Sequence, residues 1–199
     1  MKRICMCNLK GGSGKSTTTL LLGMVLSSVG KSVAIQDFDT DQKTATKFLE
    51  SFGNDLFEIY QEGKEYDILI YDNEPKLDEP LRETLRNSDH AYITSSPSPP
   101  EIYSVLDTVA FLDKEFPDLP RNIIFNRIQG QNNLSKLRFE ILQKMQEKFL
   151  ADTGKHVEIT ALKSAIPYSV KYQEIFITGE KSLGTAQLKH ITQLALEIL

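Results

Sequence analysis

Lys10-Gly11-Gly12-Ser13-Gly14-Lys15-Ser16-Thr17 sets three glycines between an apolar run, Lys2 to Asn8, and a stretch with helical character over 15–28. Glycine enters positive-φ conformations without steric cost, so a chain built this way can curl tightly and turn several N–H groups inward. The helix that follows adds the positive end of its dipole. A lysine and then a hydroxyl residue at 15 and 16 complete the pattern. The lysine brings a point charge suited to β and γ phosphates, and the hydroxyl brings an oxygen suited to Mg2+. Gly11, Gly12, Ser13, Gly14, Lys15, Ser16 and Thr17 are therefore the expected contacts to a nucleotide phosphate, with ATP and Mg2+ as the expected ligands. The strict form of this loop carries glycine at position 9, where this chain has Leu9, and Lys10 is an additional cation.

Working outward from the loop, strand-like runs over 2–8, 32–37, 67–72, 90–95, 121–126 and 157–160 alternate with helix-like runs over 15–28, 41–52, 78–87, 101–115, 135–151 and 183–198. The strand runs are short and rich in Ile, Val and Tyr; the last helix run repeats Leu183, Ala186, Leu188, Ile191, Leu194, Ala195 and Ile198 at helical spacing. Pro97-Ser98-Pro99-Pro100 is expected to be a loop that ends the strand over 90–95. Such alternation predicts an α/β fold: one domain over 1–199, with a mainly parallel twisted sheet covered by helices on both faces. Ligands in this class sit at the carboxyl ends of the strands.

Those ends carry acids. The run over 32–37 finishes in Asp37-Phe38-Asp39, and Tyr66-Asp67-Ile68-Leu69-Ile70-Tyr71-Asp72 finishes in an acid after four apolar or aromatic residues. A carboxylate at the end of an apolar strand suits a Mg2+ partner acting through water, so Asp72 and Asp37 are the expected metal partners beside Ser16. Asp39 can orient the attacking water, since phosphoryl transfer needs mostly positioning and charge neutralisation. Asp41 is expected to cap the helix over 41–52.

Bulk composition narrows the class further. Of 199 residues, 40% are hydrophobic and 25% charged, as in a water-soluble globular domain. No apolar run approaches the roughly 20 residues that span a bilayer, and no leader pattern precedes the first strand run, so the expected location is cytoplasmic. Cys5 and Cys7 lie on one face of a strand and are expected to be buried thiols. Residues 1–120 hold 12 Lys and Arg against 20 Asp and Glu, whereas residues 121–199 hold 11 against 7. The C-terminal third could thus offer a cationic face to a polyanion, with Lys155, Lys163, Lys171, Lys181 and Lys189 as candidates.

The chain resembles the ParA-type ATPases of the ParA/MinD (deviant Walker A) superfamily, most of all the small plasmid-partition kind without an extra N-terminal DNA-binding domain. Residues 10–17 match the deviant loop in full; Gly30-Lys31-Ser32-Val33-Ala34-Ile35 with Asp37-Phe38-Asp39 resembles the second strand and its aspartate motif; Tyr66 to Asp72 resembles the Walker B strand. Pro97-Ser98-Pro99, Asn126-Arg127, Ile166-Pro167, Tyr172, Glu174 and Gly179 resemble the later signatures. The resemblance implies a P-loop NTPase fold and hydrolysis of ATP to ADP and phosphate. It implies an ATP-driven homodimer with nucleotides sandwiched between subunits, in which Lys10 reaches the partner's phosphates. Lys10, Lys15 and Asp39 would be catalytic, and Asn126, Arg127 and Pro167 would lie beside the base. The ATP-bound dimer would bind DNA non-specifically on the nucleoid, not a membrane, and a ParB-like or centromere-binding protein would stimulate hydrolysis.

Two segments depart from the family pattern: Thr40-Asp41-Gln42 replaces Pro-Gln after the aspartate motif, and Asn73-Glu74-Pro75 replaces a short residue and two prolines after Asp72. Two other readings are a MinD-like membrane-associated ATPase, which calls for an amphipathic C-terminal helix with basic flanks, and a small-molecule ATP-dependent ligase using Glu74 and Lys76.

Overall fold

Ile68-Leu69-Ile70-Tyr71-Asp72 is buried at every position, the pattern of a strand covered on both faces. The computed structural model describes residues 1–40, 42–52, 57–130, 133–179 and 183–199. Asp41 and Lys181, singled out above, lie outside the described residues. The strands β1 (Lys2–Cys7), β2 (Val33–Asp37), β3 (Glu58–Ile59), β4 (Ile68–Asp72), β5 (His90–Ser95), β6 (Arg121–Phe125) and β7 (Thr160–Ala161) form one sheet in the order β3-β2-β4-β1-β5-β6-β7. Every pairing is parallel. Helices α1 (Lys15–Ser28), α2 (Thr44–Phe52), α3 (Glu79–Arg86), α4 (Pro99–Glu115), α5 (Asn133–Lys136), α6 (Arg138–Thr153), α7 (Lys171–Thr178) and α8 (Thr185–Ile198) cover the two faces.

The alternation along β1 shows the layering. Ile4 and Met6 face a core shared with α1, α2, α7 and α8. Cys5 and Cys7 face the other core, shared with α3, α4 and α6, and both are buried free thiols. Helix α1 buries residues on nearly all sides, because the sheet lies under it and α8 lies against it. Gly23 on α1 leaves room for a ring: a Cβ there would come within 3.1 Å of Phe57.

Several expected boundaries move, each for a local reason. Pro99 and Pro100 form the first turn of α4 and are not a loop; proline lacks the N–H that would be unpaired there. The run over 78–87 becomes α3 with Asp78 outside it as N-cap, accepting the Leu81 N–H at 3.1 Å. The run over 135–151 divides into α5 and α6, the helix expected over 41–52 begins at Thr44, and the strand expected over 157–160 pairs only at Thr160–Ala161. The edge strand β3 and the helix α7 were not expected. β3 has two residues, and α7 buries only Tyr172 and Ile175, too few to display a period.

The expected apolar stripe of α8 turns inward from Ile191 onward: Ile191, Leu194, Ala195 and Ile198 are buried, whereas Ala186 and Leu188 are exposed. Lys2 fastens its end, bonding the carbonyls of Ile198 and, at 3.3 Å, Leu199. A cation at a helix C-terminus also complements the dipole. Leu194→Ala should therefore lower stability by about 2–5 kcal/mol in urea denaturation. Leu196→Ala, at a position 65% exposed, should stay within about 0.5 kcal/mol of the parent. Equal losses would contradict the docking of α8.

Candidate functional site

The centre of the sheet order places the end of β1 between the ends of β4 and β5. Asn8, buried just past β1, steers the chain into the loop. Its Oδ1 accepts the Lys10 N–H at 2.8 Å, and its amide donates to the Thr94 carbonyl at 2.8 Å. Ser13 Oγ lies 3.2 Å from Thr94 Oγ1, and the Asn126 amide donates to the Ser13 carbonyl at 2.6 Å. The loop is thus tied to β5 and to the end of β6. Gly12 has φ +71° and Gly14 has φ +92°, conformations that side chains disfavour, and a Cβ on Gly14 would run into the Asn126 amide.

Gly14 is the N-cap of α1 and offers no side chain to its first turn. Lys15 is 7% exposed and its Nζ donates to the Asn8 carbonyl at 3.3 Å. Burial lowers its ammonium from the ordinary lysine value, against the pull of Asp72, Cys7 and Asp39. The site therefore holds a buried cation beside the uncapped start of a helix.

Asp72 lies in register with Met6 of β1 and Asp37 of β2. It is fully buried, and neither carboxylate oxygen has a hydrogen-bond partner among the described residues. Burial pushes its carboxyl up to about 7; the charges of Asp37 and Asp39 add to the rise, and Ser16 and Lys15 oppose it. Asp37 is engaged differently. Its Oδ2 accepts the N–H groups of Ala45 and Thr46, each at 3.1 Å, and the Thr46 hydroxyl at 3.3 Å, while Oδ1 accepts the Asp39 N–H at 3.1 Å. It caps the start of α2, the role expected of Asp41. Asp39 is half-buried, and its Oδ1 takes the Gln42 N–H at 2.8 Å.

Two cavities share the loop. One, of about 400 Å³, is lined by Gly11 to Thr17 with Asp39, Gln42, Thr44, Pro75 and Phe176. The other, of about 200 Å³, is bounded by Gly12, Gly14, Thr17 and Thr18 on one side and by Asn126, Arg127, Ile166, Pro167, Tyr168 and Tyr172 among others on the other side. Their common wall is Gly12, Gly14 and Thr17. The first has the dimensions and donors for phosphates, and the second is a smaller, more enclosed slot with an apolar wall.

Lys10 stands outside both rings. Its Nζ is 3.7 Å from Glu101 Oε1, and its side chain is 41% exposed. Glu101 Oε2 accepts from Arg127 at 2.7 Å and from the Ser96 N–H at 3.0 Å. Arg127 itself has φ +53°, unusual for a side-chain residue, and its Nε donates to Asn126 Oδ1 at 3.3 Å. One carboxylate on α4 thus holds a lysine from the β1 loop and an arginine from the end of β6.

Residues 4–183 match the CobQ/CobB/MinD/ParA nucleotide binding domain. The chain belongs to this family. Solved members share its architecture along nearly their whole length. A putative plasmid partition protein from Borrelia burgdorferi B31 bound to AMPPNP is 20% identical, covers 100% of this chain and 99% of its own, and superposes with a TM-score of 0.70. The septum site-determining protein MinD from Pyrococcus horikoshii OT3, complexed with Mg-ADP, is 16% identical, with 99% and 95% covered and a TM-score of 0.67. The pNOB8 ParA bound to nonspecific DNA is 18% identical, with 99% and 97% covered and a TM-score of 0.57. No curated protein sequence matches the chain.

Within this family member, the residues expected at the loop, at Asp39, and at Asn126, Arg127 and Pro167 line two adjoining cavities, Asp72 lies behind them, and Lys10 and Asp37 face elsewhere. Thr44, Pro75 and Phe176 were not expected to line the first cavity, and no local pattern marks Phe176. Asn8 and Glu101 were also not expected. Asn8 carries a signal in hindsight, as the polar residue that ends an apolar strand directly before three glycines.

Asp72 makes stability depend on pH. Its native carboxyl sits at about 7, whereas an unfolded aspartate titrates at about 3.9. The native state binds more protons between these values, so in the absence of nucleotide and Mg2+ stability should fall as pH rises from about 4 to about 7, by up to about 4 kcal/mol. Asp72→Asn should remove this part of the slope in denaturation measured across that range. A slope unchanged in Asp72→Asn would assign it to other groups.

Proposed function

We propose that the chain is an ATP-dependent, dimerising ATPase that partitions DNA or positions a cargo. The observation that carries this reading is the placement of the two loop lysines. Lys15 is buried in the phosphate cavity, while Lys10 belongs to the same loop yet stands outside it on Glu101. A lysine so placed is available to the phosphates of a second subunit. ATP would then favour the dimer, because only that state gives the γ-phosphate contacts from both sides. In this reading ATP is hydrolysed to ADP and phosphate with Asp39 orienting the water, and the base occupies the slot beside Asn126, Arg127 and Pro167.

Mg2+ fits the residues present. Two oxygens of a buried carboxylate without partners are the expected mark of a group whose partner is a metal's water. Ser16 would hold the ion directly and Asp72 through water, with Asp37 contributing charge while it caps α2. When bound, Mg2+ neutralises charge on the β and γ phosphates. The AMPPNP and Mg-ADP carried by the two relatives above agree with this ligand set.

The relative bound to nonspecific DNA supports a DNA partner for the dimer on the nucleoid, and Lys155, Lys163, Lys171 and Lys189 are all exposed. A ParB-like or centromere-binding activator and a cytoplasmic location complete the reading. The MinD likeness keeps a membrane role in view, but Ile191, Leu194, Ala195 and Ile198 of α8 are spent on the core, and among the described residues no helix is long and apolar enough to cross a membrane. The ligase alternative is disfavoured because Glu74 and Lys76 are paired with each other.

Lys10→Ala should abolish ATP-dependent dimerisation in light scattering, while fluorescent-nucleotide affinity stays within about threefold. Dimerisation equal to the parent would refute the role across the interface.

A further inference from the structure

Two segments frame the phosphate cavity opposite the loop. One runs from β2 to α2 and carries Asp39; the other leaves β4 and carries Pro75. One side chain, Glu74, joins them. Glu74 Oε1 accepts both the Thr40 N–H at 2.9 Å and the Thr40 hydroxyl at 2.7 Å. Its other oxygen, Oε2, pairs with Lys76. Glu74 stands where the family resemblance leads one to expect proline, which has no such acceptor.

The two segments differ in how firmly they are held. The β4 side is anchored: Asn73 is buried, its amide donates to the Met6 carbonyl at 3.2 Å, and its Oδ1 accepts the Thr84 hydroxyl at 3.0 Å. Pro75 then faces Gly11 across the cavity, and a Cβ on that glycine would lie 3.9 Å from its ring. The β2 side is exposed at Thr40 and passes through Lys43 at φ +47°. Among the described residues, its bonds from Asp39 to Thr40 and from Gln42 to Lys43 are otherwise local, Asp39 N–H to Asp37, Gln42 N–H to Asp39 Oδ1, and Lys43 N–H to the Asp39 carbonyl. Before Asp39, the Phe38 N–H bonds the Asp72 carbonyl at 2.9 Å. Beyond it, Thr40 makes the next tie to β4's side of the site. Asp39 therefore sits between two tethers, and the second of them is a side chain.

We propose that Glu74 is a positioning residue for hydrolysis: by clasping Thr40 it holds Asp39 over the phosphate cavity. This rests on the reading of Asp39 as the group that orients the attacking water. The salt link to Lys76 and the bonds from Thr40 hold the Glu74 carboxyl at about 2, so it is an ionised acceptor at any working pH. Hydrogen bonds to a charged acceptor are the stronger kind, and a displacement of about 1 Å in a reacting group can cost about a hundredfold in rate.

The test is steady-state ATPase kinetics by phosphate release, with fluorescent-nucleotide binding alongside. Glu74→Ala should lower kcat by about tenfold to a hundredfold and leave nucleotide affinity and KM within about twofold. Glu74→Gln keeps an acceptor for Thr40 and should restore most of kcat. Thr40→Val, which loses only the hydroxyl, should lower kcat in the same direction by less, and it remains decisive if Glu74→Ala does not fold. In an Asp39→Asn background, Glu74→Ala should add no further loss, because residues acting through one another are non-additive. Unchanged kcat in Glu74→Ala or Thr40→Val, with Asp39→Asn strongly slowed, would overturn the clasp and leave the ATPase reading standing. Losses that multiply, or that fall on KM, would likewise overturn it. Full turnover in Asp39→Asn would overturn both the clasp and the assignment of Asp39.

Discussion

The start of α1 has nothing of its own to bind. Its N-cap is Gly14, without a side chain, and no acidic residue occupies its first turn. α2 and α3, by contrast, are capped by Asp37 and Asp78. Unpaired N–H groups and the dipole they sum to require an acceptor, and the chain supplies instead a cavity and a buried lysine. An anion of several charges is the natural complement. The rest of the site follows from that constraint: the positive φ at Gly12 and Gly14, the Asn126 amide that fills the space a side chain on Gly14 would need, and the Asn8 that aims the strand into the turn.

The charges are balanced across the sheet, not within the loop. In-register pairing of β2 with β4 brings Asp37 beside Asp72, so one carboxylate is spent on a helix and the other is left buried without a partner. That is costly for a lone protein and useful for one that takes up a hydrated cation together with phosphates. On the opposite side Glu101 gathers the two cations that lie outside the phosphate cavity, Lys10 and Arg127. The interior of the site thus has cationic and anionic halves, and its rim holds a lysine in reserve.

Much of this was legible in the residues. α1 falls on 15–28 as read, and β1, β2, β4, β5 and β6 fall within a residue of their expected ends, because apolar runs bounded by glycine, proline and acids leave few alternatives. The sheet order was not legible, since pairing partners are chosen in three dimensions. The capping of α2 by Asp37 was hidden because it depends on where α2 begins, and Thr44 lies seven positions beyond that acid. Nothing in the sequence sets Glu101 apart from the chain's other acids; its importance comes from the first turn of α4, which carries it to Lys10 and Arg127. Phe176 reaches the cavity from α7, a helix too short to announce itself.

The central claim is that two subunits share one phosphate site, each lending Lys10 to the other. ATP turnover in an equimolar mixture of Lys10→Ala and Asp39→Asn subunits addresses it directly. Each variant alone should turn over far more slowly than the parent. In a mixed dimer, one site would combine the Asp39 of the first subunit with the Lys10 of the second, so the mixture should regain turnover. A mixture as slow as its components would contradict the shared site and return Lys10 to its own subunit.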